Sequence, residues 1–267
     1  MTIQALYSAA TGMTAMETKL DVVSNNLANL ETTAFKRDRA NFEDLFYRHE
    51  KFPGAEDTAG QYTPTGIAIG LGVRTQSTQT EFTQGAIKQT GQELDVAIEG
   101  RGFFQVQNPD GTIVYTRAGN FSVNSNGNLV TGSASDGRLL EPPIVIPEDA
   151  TAIVISPEGI VSVQQPGNNQ LTQVGQFELA YFINAQGLLK LGENLYSETD
   201  ASGAPTLGNP GQECLGLLRQ NSLEASNVEP VQELIDLITT QRAFEMNSQT
   251  VKVSDELLQN IANLRRA

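Results

Sequence analysis

Tryptophan is absent from this chain, and cysteine and histidine occur once each, as Cys214 and His49. A single cysteine excludes an internal disulfide but leaves the compartment open, because extracytoplasmic proteins without disulfides are common. His49 has no second histidine with which to build a metal site. Neither residue has a visible catalytic partner, and no Gly-x-Ser-x-Gly elbow occurs. No catalytic, cofactor-binding or metal-ligating residue is therefore assigned, and the chain reads as a non-enzyme. Basic residues are also scarce, with 17 Lys and Arg against 31 Asp and Glu and a formal charge of −14. That balance argues against a nucleic-acid groove and against a polybasic membrane anchor. Aromatic residues are only 6% of the chain, too few for the stacking platforms of a sugar-binding adhesin. No apolar run approaches the ~20 residues of a membrane span, and the N-terminus lacks the basic-then-apolar pattern of a secretory signal.

What is present is a pair of matching stripes at the two ends of 267 residues. Leu6, Met13, Leu20 and Leu27 recur at sevens, and Ala9, Met16, Val23 and Leu30 follow three residues behind each. This is an a/d seam that asks for a partner helix along its length, over about residues 3–30. The polar positions of that helix hold Thr11, Thr14, Thr18, Asn25, Asn26 and Asn29, which are mediocre helix formers. Its stability must come from packing.

Phe42, Leu45, Phe46 and His49 sit at i, i+3, i+4 and i+7 and predict a short amphipathic helix, with His49 on its face. Residues 50–72 hold Pro53-Gly54, Gly60, Thr63-Pro64, Gly66, Gly70 and Gly72 and read as a loop or extended arm. Gly70-Leu71-Gly72 lacks the third glycine of a dinucleotide loop. From about 73 to 197 the period changes to two, as in Leu94, Val96 and Ile98 or Phe104 and Val106, with turns at Pro109-Asp110-Gly111 and Asn126-Gly127. Strands are expected at about 112–117, 120–123, 128–131, 144–146, 153–155, 160–163, 171–183 and 188–191. Asn124 to Asn128 is a hairpin turn rather than a calcium loop, since it has no acidic ligand. A second loop is expected over about 198–211.

A last helix is announced by Ser226-Asn227-Val228-Glu229-Pro230. Ser226 with Glu229 fits a capping box, and Pro230 fits a first-turn position; both start signals stand. The helix should run to about 264. One of its faces carries Val231, Leu234, Ile235, Ile238, Met246, Val253, Leu257, Ile261 and Leu264, and the nearly opposite face carries Leu237, Phe244, Val251, Leu258 and Ala262. A monomer's surface helix needs one such stripe. The N-terminal helix can cover one, which leaves the other for further copies. Leaving the four large residues of the second stripe wet would forgo about 5 kcal/mol or more. Periodicity alone fits a closed dimer or a four-helix bundle as well as an open assembly; the Asn and Thr content favours assembly.

The fold expected is α+β: long N- and C-terminal helices in a coiled-coil layer, with a central antiparallel β-domain of barrel or sandwich type. Residues 1–40 with 222–267 would form the helical domain, 41–93 with 198–221 an arm region, and 94–197 the β-rich outer domain.

The stretch from Ser24-Asn25-Asn26-Leu27-Ala28-Asn29 through Thr32-Thr33-Ala34-Phe35-Lys36-Arg37 resembles the signature of bacterial flagellar rod and hook proteins, with Ala34 where that motif usually has Gly. Ser226-Asn227-Val228, Gln241-Arg242-Ala243-Phe244-Glu245 and Asn247-Ser248 are similar to the family's closing helix, where Tyr is commoner than Phe244. Leu94 to Ile98, Gly102 to Val106, Tyr115-Thr116-Arg117, Gly192 to Tyr196 and Ser202 to Pro205 match as well. The likeness covers nearly the whole chain. Length, and the Phe42 to Tyr47 segment followed by an extra loop before Gly66, fit the distal-rod branch, with the larger proximal-rod protein as close competitor. The resemblance implies a structural subunit that polymerises helically with itself around an export channel. It also implies contacts with proximal rod proteins, hook protein, P- and L-ring proteins, a rod cap and the flagellar export apparatus, and a basal-body location reached without a cleaved signal. The assembly interface it implies comprises Leu6, Met13, Leu20, Leu27, Asn25, Asn26 and Asn29 at one end and Leu237, Gln241, Arg242, Phe244, Val251 and Leu258 at the other.

Overall fold

The computed structural model describes residues 2–54, 62, 64–132, 137–166, 170–212 and 214–264. Along the chain run α1 (Thr2–Ala28), β1 (Asp38–Asp44), β2 (Tyr47–Lys51), β3 (Ile67–Gly70), β4 (Val73–Thr80), β5 (Ile87–Gln89), β6 (Val96–Glu99), β7 (Phe103–Gln107), β8 (Ile113–Thr116), β9 (Phe121–Val123) and β10 (Leu129–Thr131). They are followed by β11 (Leu139–Glu141), β12 (Ala152–Ile155), β13 (Ile160–Gln164), β14 (Leu171–Gln176), β15 (Leu179–Tyr181), β16 (Leu189–Gly192), β17 (Leu195–Ser197), β18 (Thr206–Gly208), β19 (Leu217–Gln220), β20 (Ser222–Glu224) and α2 (Pro230–Leu264). Two compact units result, and neither is continuous in sequence. The first takes Met1–Ala28, Asp38–Thr80 and Glu229–Ala267; the second takes Asn29–Arg37 and Glu81–Val228.

In the first unit α1 packs along α2, and the β1–β4 ladder lies on α1. The two helices run antiparallel: Gly12 meets Asn247, and Asn26 meets Glu233. The line of α1 that is most buried is Ala9, Gly12, Ala15, Val23 and Asn26. Leu6, Met13, Leu20 and Leu27 lie half-buried beside it. Close approach explains the preference for small residues, since a Cβ placed on Gly12 would stand 3.0 Å from the Asn247 side-chain nitrogen.

The expected helix at 42–49 is absent. Residues 38–51 instead run antiparallel to 67–80 as a two-stranded ribbon. β1 pairs with β4 through a bulge between Asn41 and Phe42, and β2 pairs with β3. Leu45 N–H donates to Gly72 O at 2.9 Å, and Leu71 N–H donates to Phe46 O at 3.1 Å, so the ladder carries across both joints. Eight residues hold too few turns to establish a helical period. β4, with three threonines, and β3 opposite offer the backbone partners, and tertiary pairing overrides the local pattern. His49 is accordingly on β2, exposed, and stacked on Phe52 with ring centroids 5.2 Å apart. The arm expected at 50–72 thus contributes β3 and the end of β2; its Gly60 and Thr63 lie outside the described residues.

The second unit is β-rich and wholly antiparallel among the described strands. Its largest sheet has the order β16-β17-β8-β7-β11-β10-β9, with β15 joining β7 to β18. The order branches at β7, where β15 joins, and its ends do not pair with one another, so the sheet does not close into a barrel. β12-β13-β14, β6-β19 and β5-β20 form smaller sheets. β7 sits where both faces are covered. Phe104 packs edge-on against Phe121 within the main core. Phe103, on the other face, joins Phe82, Tyr115, Phe182 and Tyr196. Burial on both sides explains why Val96, Ala97 and Ile98 are all inaccessible where alternation predicted every other residue inside.

Most expected strands fall where the alternation and turn signals placed them. The stretch 144–146 does not form a strand; Val145 makes a lone bridge to Asn128. The run 171–183 breaks into β14 and β15 at Phe177-Glu178, and the loop at 198–211 contains β18. Of the two helix-start signals, the proline prevails. α2 begins at Pro230, while Ser226 Oγ accepts the Val228 N–H at 3.3 Å as a local turn.

Candidate assembly surface

The outward side of α2 exposes a row of apolar side chains, interrupted by Arg242 and Gln249. Val231 is 70% exposed, Met246 63% and Ile235 50%, and Leu234, Ile238, Val253 and Leu257 are close to half exposed. Ile261 and Leu264 lie outside the described side chains. The side turned to α1 holds Glu233, Thr240 and Ser254, all buried, with Asn247 half-buried and each seven residues from the next. The four-residue stripe singled out from the sequence divides accordingly. Leu237, Val251 and Leu258 are half-buried on the flank of this polar seam, and Phe244 is 36% exposed. Gln241 and Arg242 are exposed. The stripe left uncovered is therefore the longer one, because α1 lies against the polar side of the helix.

The asparagines of the first signature have separate fates. Asn25 is exposed. Asn26 is 1% exposed and acts inside the chain. Its Oδ1 accepts the Asp38 N–H at 2.9 Å, and its Nδ2 donates to Asp38 O at 2.8 Å and to a Glu233 carboxylate oxygen at 3.3 Å. Its polar atoms are thus engaged within the first unit. Asn29 closes the end of α1: its side chain accepts the Thr32 hydroxyl, and its carbonyl accepts the Thr32 N–H.

The rest of the signature builds a node within the second unit. Ala34 occupies the left-handed region at φ 57°, where the family's usual glycine is free of Cβ strain, and its N–H donates to Glu224 O at 2.8 Å. The turn drives Lys36 inward to 0% exposure. Its ammonium donates to Glu224 Oε1 at 2.6 Å and to Thr83 O at 2.7 Å. Arg117, also buried, donates from Nε to Glu224 Oε2 at 2.9 Å and from its terminal nitrogens to the carbonyls of Gly102 and Gly100. Gly85 N–H completes the carboxylate at 2.9 Å. Burial pushes the Lys36 ammonium down to about 8, with Glu224 opposing and Arg117 reinforcing the fall. Burial alone would raise the Glu224 carboxyl, but Arg117 and Lys36 outweigh it and, with the Gly85 N–H, hold it below the usual value. Asn227 makes a second clamp. It accepts the Arg37 N–H at 2.8 Å and donates to Glu81 O and to the Thr83 hydroxyl, each at 2.8 Å. These roles were not legible in the sequence, since a lysine beside a phenylalanine carries no sign of a carboxylate 188 residues away.

Among the described residues no group of His, Cys, Asp and Glu is arranged to hold a metal. The recess of the second unit lined by Phe82, Arg101, Phe103, Arg117 and Phe182 contains no nucleophile paired with a base. Cys214 is exposed and outside any disulfide of the chain. No helix is long and apolar enough to cross a membrane among the described residues.

Comparison with known proteins agrees with the architecture. Residues 6–36 match the family described as flagella basal body rod protein, residues 97–163 the flagellar hook protein FlgE/F/G D1 domain, and residues 219–264 the flagellar basal body rod FlgEFG protein C-terminal region. The chain is 47% identical over 256 residues to the flagellar basal-body rod protein FlgG of Agrobacterium fabrum, covering 96% of this chain and 97% of that one. It is 46% identical over 264 residues to FlgG of Caulobacter vibrioides, covering 98% and 100%. Against the rod protein FlgF of the same Caulobacter strain the identity is 34% over 256 residues, covering 95% and 94%. Matched along its full length and at both ends by rod-protein signatures, the chain belongs to the flagellar basal-body rod protein family and is FlgG-like within it.

Proposed function

We propose that this chain is a structural subunit of the distal part of the bacterial flagellar rod. Copies of it would polymerise helically into a hollow shaft that transmits torque from motor to hook and encloses the export channel. The observation that carries the reading is the apolar side of α2, exposed from Val231 to Leu257 on a helix whose other side is already engaged by α1. Half-burying a Leu-sized side chain contributes about 1 kcal/mol, so seven such residues offer about 7 kcal/mol to a neighbouring copy. That is enough to drive association once many copies share it. In this reading α1 and α2 form an inner coiled-coil layer, and the ribbon of β2 and β3 reaches to adjacent subunits. Proximal rod proteins, hook protein, the P- and L-rings, a rod cap and the export apparatus are the partners of such a shaft. The larger proximal-rod protein of the same family is the second reading; the weaker likeness to FlgF speaks for the first.

The test is the pair Ile235→Asp and Ile238→Asp in the full chain. The parent should form filaments or large oligomers at high protein concentration, by sedimentation and electron microscopy. The double variant should stay monomeric with its tyrosine near-UV circular dichroism unchanged. Assembly of the variant equal to the parent would refute the surface assignment.

A further inference from the structure

The second unit buries two cations and one anion that come from remote parts of the chain. Lys36 follows the end of α1, Arg117 follows β8, and Glu224 is the last residue of β20. Among the described residues Glu224 is the carboxylate that pairs with either cation. It lies 188 residues beyond Lys36 and 107 beyond Arg117. We propose that the Lys36–Arg117–Glu224 cluster is a completion latch: the β-rich unit cannot close over its two cations until β20 delivers Glu224.

The argument is one of charge. With Glu224 in place the cluster holds one net positive charge, and Arg117 distributes its remaining donors over the carbonyls of Gly100 and Gly102. Without Glu224 it leaves the Arg117 guanidinium uncompensated beside Lys36 in an enclosed site. Arginine cannot shed its proton at any ordinary pH, and an uncompensated buried charge is strongly destabilising. The neighbouring backbone enforces the same order, because β20 must also pair with β5 and β19 with β6 before the unit is complete. A chain whose C-terminal part has not yet arrived therefore keeps Lys36 and Arg117 in water. For a subunit handled by an export apparatus, as in the rod reading above on which this benefit rests, the β-rich unit would stay open until its C-terminal part arrives; the test below uses the isolated chain and is independent of assembly.

Hydrogen exchange of the full-length chain at neutral pH is compared for the parent, Glu224→Gln, and the triple variant Lys36→Met, Arg117→Met and Glu224→Gln. The single variant leaves Arg117, which cannot lose its proton, buried without a carboxylate; the triple variant removes all three charges. Protection of the amides in Val96–Glu99 and Phe103–Gln107 should fall about a hundredfold or more in the single variant, and recover to within about tenfold in the triple. Retained protection in Glu224→Gln would overturn the latch. So would a triple variant as unprotected as the single, which would mark the three side chains as hydrogen-bonding and packing residues only. Order is read separately by pulsed acetylation during refolding of the parent. The Lys36 amine should stay reactive until amides 222–224 become protected, and earlier shielding of Lys36 would also overturn the proposal.

Discussion

Asn26→Asp changes one side-chain nitrogen to oxygen and nothing in volume, yet the geometry makes it a severe substitution. The new carboxylate can still accept the Asp38 N–H, but it cannot donate to Asp38 O or to Glu233. It also stands 3.3 Å from the Glu233 oxygen it formerly bound, with both side chains essentially inaccessible. Two carboxylates so placed cannot both ionise, and one retains a proton. The unfolded chain releases that proton near pH 4, so holding it at pH 7 costs about 1.4 kcal/mol for each intervening pH unit, or about 4 kcal/mol. The shared proton restores one donor, and the lost bond to Asp38 O adds about 1 kcal/mol. The expected loss at pH 7 is about 4–5 kcal/mol, shrinking to about 1–2 kcal/mol at pH 4.5. Urea unfolding followed by helical circular dichroism, with parent and variant compared at each pH so that other titrations cancel, reads this slope. A loss below about 1 kcal/mol at pH 7, or one that does not change with pH, would refute the assignment of Asn26 as the buried link between α1, the start of β1 and α2.

Three further outcomes are expected. The folded-state value of Lys36 near 8 lies below its unfolded value, so the unfolded chain binds more protons between them and stability should rise with pH through that window. Relative to Lys36→Met the gain from pH 8 to 10.5 should reach at most about 3 kcal/mol in urea titrations, and a fall over that range would contradict the burial. At Ala34, held at φ 57°, glycine relieves left-handed strain while losing a buried methyl, so Ala34→Gly should lie within about 1 kcal/mol of the parent and Ala34→Val should lose about 2–3 kcal/mol, measured by the same titration. At the helix crossing, Gly12→Ala should be near neutral because the gain in helix propensity offsets the 3.0 Å approach to Asn247. Gly12→Leu should cost about 2 kcal/mol by forcing the helices apart; a helical circular-dichroism melt distinguishes the two.

Several features were legible without coordinates because they depend on neighbours in sequence. Apolar periodicity set α1 and α2, proline at a first turn set the start of α2 at Pro230, and alternation between turn signals set most strands of the second unit. What failed were decisions between distant segments. Phe42 to His49 has the spacing of a helix, but β4 and β3 supply a ladder for it. The strand order of the main sheet, and its failure to close, follow from pairings across the chain that no local pattern encodes.

The family signatures marked which residues matter, but not what they do. Asn26 was grouped with Asn25 and Asn29 as a surface, and only the packing separates a buried clamp from an exposed neighbour. Lys36, Arg117, Glu224 and Asn227 became a node only when the fold brought them together.

By itself the sequence determined that two helical ends flank an antiparallel β-region and that α2 carries apolar residues on more than one side. Which side α1 covers was decided by the tertiary structure. Small residues on α1 let the backbones approach, and the close seam takes the short polar side chains at 233, 240, 247 and 254. Hydrophobicity ranks the faces of a helix, but contact distance and hydrogen-bond partners select among them.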